Sequence, residues 1–225
     1  MKPKLTLQEF IKEAKIFCNL GWLKNIPELY GITDGKAVGT FIEHKFKEFL
    51  NEKYQFSSGN SANGIDFPDE HLLTDIKVTS IKQPQSSCPF KNVKQKIYGL
   101  GYNLLIFVYE KIDDDVKKDT MINFVNCTFI NKERTADFQI TKRLIQILEN
   151  DGNYDDIYGF LQDMNLPADD ITLNKLVEEI VNNKPQQGYL TISNALQWRL
   201  QYSRVVSIKD LPAGIIKIID KLNND

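Results

Sequence analysis

Apolar side chains recur at intervals of three and four residues in two stretches near the start of the chain, which is the spacing of an amphipathic α-helix. The first predicted helix follows Thr6, a favourable N-cap residue, and ends at Gly21. Its apolar positions are Phe10, Ile11, Ala14, Phe17 and Cys18. The second predicted helix runs from about Ala37 to Tyr54, with apolar positions at Val38, Ile42, Phe46, Phe49 and Leu50.

Polar residues of the second predicted helix fall into two groups. Glu43 lies at the edge of the apolar stripe, where it can border either the core or a cleft. Lys47 and Glu48 lie farther round the helix and are predicted to face solvent. Glu43 is therefore the acidic residue of this helix that can reach a functional site.

Strand-forming patterns follow the second helix. The stretch 61–80 is predicted to form a β-hairpin, and the nearly continuous apolar run YNLLIFVYE predicts a strand that is buried on both faces. An acidic turn, IDDDVKKD, separates this run from another predicted strand, TMINFVNCTFI. The order of elements indicates an α/β (α+β) fold in which a central mixed β-sheet is flanked by helices.

Two further parts of the chain contain less regular patterns. After Ser80 the cluster IKQPQSSCPFKN is predicted to be irregular, because proline cannot continue a central strand. A short helix, NVKQKIYGL, is then predicted to place Gln95 and Tyr98 on its surface. The C-terminal half begins with three amphipathic helices, ADFQITKRLIQILEN, YDDIYGFLQDM and DDITLNKLVEEIVNN. In the segment that follows them, Trp198 and Tyr202 are spaced as on one face of a helix.

Composition is that of an ordinary globular protein. The 225 residues suit a single domain, 42% are hydrophobic and 26% are charged. The net charge of −2 argues against indiscriminate binding of polyanions but is compatible with a locally basic cleft. Cys18, Cys88 and Cys127 are scattered and indicate neither a disulfide framework nor a zinc site. Without a signal sequence or membrane-length apolar run, the protein is predicted to be cytoplasmic and not membrane-bound.

The predicted hairpin carries the candidate chemistry. Alternate residues of a strand share a face, so Asp75 and Lys77 project together while Ile76 points into a core. If the turn centres on residues 70–71, Asp66 lies directly across from Asp75. Two carboxylates beside a lysine can hold a hard cation such as Mg²⁺ and stabilise charge on a phosphate. A plain salt bridge between neighbouring strands is the alternative explanation of the same residues.

A second acid, Asp69, competes with Asp66 for the place opposite Asp75. Pairing Asp69 with Asp75 would need a shift of strand register, which turns side chains to other faces of the sheet. Pro68 cannot donate a ladder hydrogen bond and therefore suits the end of a strand. We therefore expect Asp66 in the site and Asp69 in the turn.

The pairing of GID with DIK, between a helix that carries Glu43 and a helix that carries Gln95, resembles the PD-(D/E)xK nuclease superfamily, which includes the type II restriction endonucleases. The resemblance covers about residues 40–110. It implies a catalytic core at about 37–131, a helical and DNA-contacting part at about 132–225, and one endonuclease domain over 1–225.

The resemblance also implies roles for individual residues. Asp66, Asp75 and the backbone carbonyl of Ile76 would bind Mg²⁺, and Lys77 would position or help to deprotonate the attacking water. Glu43 would contribute to catalysis and add an outer contact to the metal or to a water. Gln95 is similar to a glutamine that some members place near the site. The implied reaction is metal-dependent hydrolysis of phosphodiester bonds in double-stranded DNA.

Two segments have the side-chain chemistry of DNA contacts. Gln and Asn can each hydrogen-bond adenine at two positions, Arg can do so with guanine, and Lys and Ser bind phosphates. The same residues can also be simply solvated. The candidate contacts are Lys82, Gln83, Gln85, Ser86, Ser87, Lys91, Gln95, Gln186, Gln187, Tyr189, Asn194, Arg199 and Arg204.

Three functions are therefore compared. The leading hypothesis is a type II restriction endonuclease that cuts a specific, palindromic site as a homodimer, whose two-fold symmetry would match that of the site. The second hypothesis keeps the nuclease chemistry in a repair or structure-specific enzyme. The third is a non-catalytic DNA-binding or structural α/β protein, for which the hairpin acids and lysine form only a salt bridge.

Overall fold

A computed structural model describes residues 2–59, 64–88, 91–193 and 198–222, with only the backbone given for Trp22. In these ranges the α-helices are α1 (Leu7–Phe17), α2 (Gly35–Lys53), α3 (Gln95–Tyr98), α4 (Phe138–Glu149), α5 (Tyr154–Asp163), α6 (Asp170–Asn182) and α7 (Ser203–Ser207). The strands are β1 (Thr74–Ser80), β2 (Gln85–Cys88), β3 (Asn103–Asp114), β4 (Asp119–Ile130), β5 (Thr191–Ile192), β6 (Trp198–Gln201) and β7 (Ile215–Asp220). The chain therefore has the predicted mixture of helices and strands.

The larger sheet is mixed and has the strand order β1-β3-β4-β7. β1 is parallel to β3, whereas β4 is antiparallel to both of its neighbours. Alternate residues of β3 enter two different hydrophobic clusters: Leu105 and Phe107 face one side, and Leu104 and Ile106 face the other. The predictions of a central mixed sheet and of a strand buried on both faces are confirmed, and β1 lies at a sheet edge.

Helices α1 and α2 cover one face of the larger sheet. Phe17 of α1 and Phe46 of α2 both contact Phe107 of β3, with ring centroids 5.8 and 5.2 Å from it. A capping box between Thr6 and Glu9 begins α1, as the N-cap prediction required. The helix ends at Phe17, earlier than the predicted end at Gly21. These contacts fix α2, which carries Glu43, against the larger sheet.

A second sheet, with strand order β2-β6-β5, covers the other face. The prediction that the chain is irregular after Ser80 is confirmed for the turn at 81–84 but wrong for 85–88, which form β2. β2 pairs with β6, about 110 residues away, and such a pairing has no local sequence signal. Pro84 lies just before β2, where it blocks no ladder hydrogen bond. Trp198 and Tyr202 are both buried, but they follow the two-residue period of a strand and not a helix.

The three long C-terminal helices α4, α5 and α6 form at nearly the predicted positions. Their apolar faces pack into a third cluster that includes Ile140, Ile157 and Leu176. Strand β7 completes the larger sheet and was not predicted. Cys18, Cys88 and Cys127 are buried thiols that form no disulfide bond. No helix in the described ranges is both long and apolar enough to cross a membrane. The division of the chain into one domain with a core at 37–131 stays a prediction.

Candidate active site

The register of the hairpin is set by one pair of residues. Phe67 and Thr74 exchange two backbone hydrogen bonds of 2.9 and 3.0 Å, which places Asp66 opposite Asp75, as predicted for a turn centred on residues 70–71. The hairpin is shorter than predicted. In the described residues, its two arms pair through this isolated bridge between Phe67 and Thr74. Ser61, the predicted start of the hairpin, lies outside the described residues.

Asp69 lies in the turn. Its carbonyl oxygen accepts hydrogen bonds from the backbone N–H groups of Leu72 and Leu73 at 2.8 and 2.7 Å. Its carboxylate accepts a 2.9 Å bond from the backbone N–H of Ser57, and hydrogen bonds from Ser57 lower the pKa of Asp69 below its usual value. The Asp69 carboxylate is therefore committed to holding the loop near Ser57.

Asp75 and Lys77 share one face of β1, as the alternation of the strand requires. Nζ of Lys77 lies 2.7 Å from Oδ2 of Asp75, and the Asp75 residue is only 5% exposed. Ile76 points to the opposite face and is buried in the cluster beneath α1 and α2. Asp75 and Lys77 therefore place a negative and a positive charge side by side on the face of β1 that the second sheet covers.

The Asp75 carboxylate is poorly solvated for a charged group. Burial raises the pKa of Asp75 to about 7, the charge of Lys77 opposes this rise, and the neighbouring Asp66 adds to it. Oδ2 is buried, and apart from its ion-pair contact with Lys77 no group in the described ranges gives it a hydrogen bond of normal geometry. A carboxylate in this state can accept an additional cation.

Asp66 is held at the edge of β1 by two hydrogen bonds. Its Oδ2 accepts a 2.8 Å bond from the backbone N–H of Ile76, and its Oδ1 lies 2.6 Å from Nζ of Lys47. Burial would raise the pKa of Asp66, but hydrogen bonds from Asp75, Lys47 and Ile76 lower it below the usual value. The carbonyl of Ile76 points to the same edge as its N–H, because both groups of one strand residue face the same neighbour.

Lys47 is a site residue that the sequence pattern missed. The prediction that its side chain faces solvent is wrong, because Nζ lies 2.7 Å from Glu43 as well as 2.6 Å from Asp66. Residues four apart on a helix share a face, so Glu43 and Lys47 both point from α2 toward the hairpin edge. That i, i+4 spacing was visible in the sequence, but the direction of the helix face was not.

Glu43 completes the charged cluster. Burial raises the pKa of Glu43 most strongly, the hydrogen bond with Lys47 opposes the rise, and the Asp66 charge adds to it. The structure therefore brings the four predicted residues Glu43, Asp66, Asp75 and Lys77 to one edge of the larger sheet. Three carboxylates and two lysines meet there.

The donor set suits a divalent cation that keeps part of its water shell. No group of three or more metal-binding side chains with coordinating geometry is found in the parts of the chain that the structure describes. Mg²⁺ commonly needs only one or two protein carboxylates, with waters and phosphate oxygens as its other ligands. Asp66, Asp75 and the Ile76 carbonyl fit that requirement, and the buried Oδ2 of Asp75, which has an ion-pair contact with Lys77 but no hydrogen bond of normal geometry in the described residues, supports it.

Two segments that were predicted to contact DNA lie together in the second sheet. Ser87 of β2 pairs with Arg199 of β6, and Gln85 pairs with Gln201. Ser87, Arg199 and Gln201 are exposed, as are Lys82 and Gln83 in the turn between β1 and β2. Gln186 and Lys91 are also exposed, whereas Asn194 lies outside the described residues. The exposed candidates thus concentrate on and around one sheet.

Other candidate DNA contacts are engaged inside the protein. Gln95 is buried, contrary to its predicted surface position, and its side chain bonds the Lys91 N–H and the Leu100 carbonyl. Ser86 Oγ lies 2.5 Å from the hydroxyl of the buried Tyr202. The remaining three lie around α4: the Gln187 amide donates to the Phe138 carbonyl, and Tyr189 and the Arg204 guanidinium contact the Phe138 ring.

The sequence of the chain is similar to that of known type II restriction enzymes. A sequence model of the family "Type II restriction enzyme NspV" matches residues 4–217. The type II restriction enzyme NspV of Nostoc sp. (strain ATCC 29411 / PCC 7524) is 53% identical over 214 residues, which cover 95% of this chain and 96% of that protein. No solved structure matches.

These matches confirm the prediction of a restriction endonuclease and favour it over a repair enzyme or a non-catalytic protein. Type II restriction enzymes bind double-stranded DNA and generally use a divalent metal ion. Membership of the PD-(D/E)xK superfamily, the identity of the metal and the homodimer stay predictions. The chain belongs to the NspV family of type II restriction enzymes.

Proposed function

We propose that this restriction endonuclease hydrolyses phosphodiester bonds of double-stranded DNA with Mg²⁺ at the cluster of Asp66, Asp75 and Lys77, as in the PD-(D/E)xK nucleases. The observation that carries the proposal is the hairpin register, which sets Asp66 opposite Asp75 beside a lysine 2.7 Å away. Two acids buried together are unfavourable unless positive charge balances them, and Lys77 and Lys47 supply that charge in the metal-free protein. A divalent metal ion bound by both acids would explain why they lie together.

The chain's own groups have distinct roles in the proposal. Asp66, Asp75 and the Ile76 carbonyl hold the cation at the edge of β1. A bound Mg²⁺ supplies a polarised water nucleophile and neutralises phosphate charge. Burial would lower the pKa of Lys77, but the charge of Asp75 raises it above its usual value, so Lys77 stays protonated. Lys77 would orient that water, whose proton would pass to solvent, and its positive charge lies where negative charge develops on the attacked phosphate. Glu43 makes an outer contact from α2.

Lys47 stands in for a cation when none is bound. Its ammonium group lies between Glu43 and Asp66 and balances both carboxylates. A metal ion bound at Oδ1 of Asp66 would lie beside the Lys47 ammonium group, and the two positive charges would repel each other. Lys47 therefore keeps the acids in place before the metal arrives and competes with the metal for Asp66.

A homodimer would place one such site on each DNA strand. A two-fold axis of the protein would then coincide with the two-fold axis of a palindromic site. Helices α4, α5 and α6 are the candidate interface, and α6 exposes Ile171 and Val181, whose exposed fractions are 68% and 50%.

The test of this proposal is digestion of purified phage DNA by the full-length protein. With Mg²⁺ we expect discrete fragments whose sequenced ends share one site, and with a chelator in place of Mg²⁺ we expect intact DNA. Cleavage that persists in the chelator would contradict the metal dependence. Fragment ends without a shared sequence would contradict site specificity.

A further inference from the structure

The second sheet separates its residues cleanly onto two faces. Cys88, Ile192, Trp198 and Leu200 point inward and belong to the hydrophobic cluster on that side of the larger sheet. Because side chains of a strand alternate, the residues between them point away from the core. The outward positions, which we call the reading face, are Gln85, Ser87, Thr191, Ser193, Arg199 and Gln201.

The reading face forms two rows across the strands. Gln85, Gln201 and Thr191 are neighbours in one row, because Gln201 pairs with both of the others. Ser87 pairs with Arg199 in the second row. Ser193 extends this row, since Ser193 and Arg199 are joined by a 3.1 Å backbone bond and by a 2.9 Å bond from the Arg199 N–H to Ser193 Oγ. Six polar side chains thus lie side by side.

The chemistry of the reading face is that of base recognition. Its described positions carry no acid, and Arg199 supplies its positive charge. The side chains of Gln85, Ser87, Arg199 and Gln201 make no hydrogen bond or ion pair within the described ranges that would occupy them. Glutamine can form two hydrogen bonds with adenine and arginine two with guanine, while serine and threonine bind bases or phosphates.

The dimensions of the reading face also suit DNA. The major groove is about 12 Å wide and admits a two-stranded β-ribbon. Neighbouring strands lie about 4.8 Å apart, so the β2–β6 pair fits within the groove and β5 reaches one wall. Gln85, Ser87, Arg199 and Gln201 would then face base edges, whereas the hydroxyls of Thr191 and Ser193 would face phosphates.

The reading face is coupled directly to the strand that carries the catalytic residues. Only four residues separate the end of β1 from the start of β2. The buried Thr79 hydroxyl of β1 lies 3.1 Å from the carbonyl oxygens of both Gln83 and Gln85, which share its one proton, and it accepts a 3.1 Å bond from the Gln85 N–H. A fixed distance between recognised bases and the cut bond requires this kind of rigid connection.

We propose that the reading face enters the major groove and selects the recognition site, with Arg199, Gln201, Gln85 and Ser87 contacting bases. This inference rests on the proposed nuclease function and names the surface that supplies its specificity. Thr191, Ser193 and Gln201 were not among the residues singled out from the sequence. The alternative occupant of the face, a second copy of the chain, is an outcome of the test.

The test measures binding, so it does not depend on cleavage. The full-length Asp75→Asn protein is mixed with duplexes that carry the mapped site or that site with one base pair changed, in Ca²⁺ and in a chelator. Gln201→Ala and Arg199→Ala are each expected to weaken binding to the intact site about 10- to 100-fold and to leave binding to unrelated DNA unchanged. Each variant should also lose discrimination at one base pair of the half-site.

Two control variants separate base reading from other effects. Gln8→Ala changes an exposed glutamine on α1 and should leave all affinities unchanged. Arg199→Lys keeps the charge but loses the two-point contact, so it should bind as weakly to the intact site as Arg199→Ala does. Full recovery by lysine would mean that Arg199 contacts only phosphate and would overturn its role as a base reader.

Two results would overturn the inference as a whole. One is unchanged affinity and discrimination in both Arg199→Ala and Gln201→Ala. The other is a change of oligomeric state in these variants at unchanged DNA discrimination, which would assign the face to a second copy. Failure of the proposed function would be seen in the digestion experiment, where the unaltered protein would show no metal-dependent cleavage.

Discussion

The backbone N–H of Ile76 donates a 2.8 Å hydrogen bond to Oδ2 of Asp66. Ile76 lies between the acid and the lysine of β1, so this bond ties the first arm of the hairpin to the centre of the site. It orients the Asp66 carboxylate toward the edge of β1, where the Ile76 carbonyl also points. The proposed metal ligands are therefore positioned by backbone geometry as well as by side-chain contacts.

Loss of either charged residue of β1 should stop the reaction. Asp75→Asn removes a proposed ligand and Lys77→Ala removes the charge beside the attacked phosphate, so each should lower the cleavage rate by at least about 100-fold. DNA binding should remain. A matched control is Lys111→Ala, which breaks the Lys111–Asp113 ion pair on the neighbouring strand β3 and should leave cleavage unchanged. An active Lys77→Ala protein would contradict the assignment.

Asp66 and Asp69 should respond differently to the same substitution. Asp66→Asn should abolish cleavage and weaken metal binding, measured by calorimetric titration with Mg²⁺. Asp69→Asn should keep cleavage and lower the free energy of unfolding by about 1 kcal/mol, since it weakens the charge-assisted bond to Ser57. The reverse ranking would show that the hairpin register is not that of the active enzyme.

Removal of Lys47 should expose its competition with the metal. In Lys47→Met the carboxylates of Glu43 and Asp66 lose their partner. The free energy of unfolding of the metal-free protein should therefore fall by about 2 kcal/mol. The same carboxylates should bind Mg²⁺ about tenfold more tightly by calorimetry. Lys45→Met, which breaks an exposed pair with Glu48 on the same helix, should change neither quantity. Weaker metal binding by Lys47→Met would contradict competition.

The metal-free protein should lose stability as pH rises from 5.5 to 8. The pKa of Asp75 is raised to about 7, so in this range the folded chain retains a proton that the unfolded chain has already released. Raising the pH therefore favours unfolding, by about 2 kcal/mol or a few degrees of melting temperature. Asp75→Asn should flatten this slope in thermal melts with a chelator. An equal slope in the variant would contradict the role of Asp75.

The proposed homodimer makes a simple prediction about mass. Light scattering during size-exclusion chromatography should give twice the 25.9 kDa mass of the chain at micromolar concentration. Val181→Asp places a charge on the exposed apolar surface of α6 and should shift the protein toward monomer without changing its fold by circular dichroism. A monomer that cuts both strands at discrete sites would contradict the dimer.

Patterns within short stretches of the sequence determined the positions of most helices and part of the candidate site. Five long helices lie close to their predicted positions, because an amphipathic stripe depends on residues three and four apart. The alternation that joins Asp75 to Lys77 is equally local, and so is the tight turn that sets Asp66 opposite Asp75. Three residues of the candidate site, Asp66, Asp75 and Lys77, were predicted in this way, because the sequence separations that define them are short. Glu43 was predicted from the family resemblance.

Tertiary structure decided the rest. The side of α2 that faces the hairpin brought Lys47 to Glu43 and Asp66, although the helix pattern alone left Lys47 in solvent. Strand β2 formed only because β6 pairs with it, and that pairing joined two polar segments into one reading face. Hydrogen bonds between residues more than 100 positions apart have no local signature, so sequence alone identified the segments but not the surface they build.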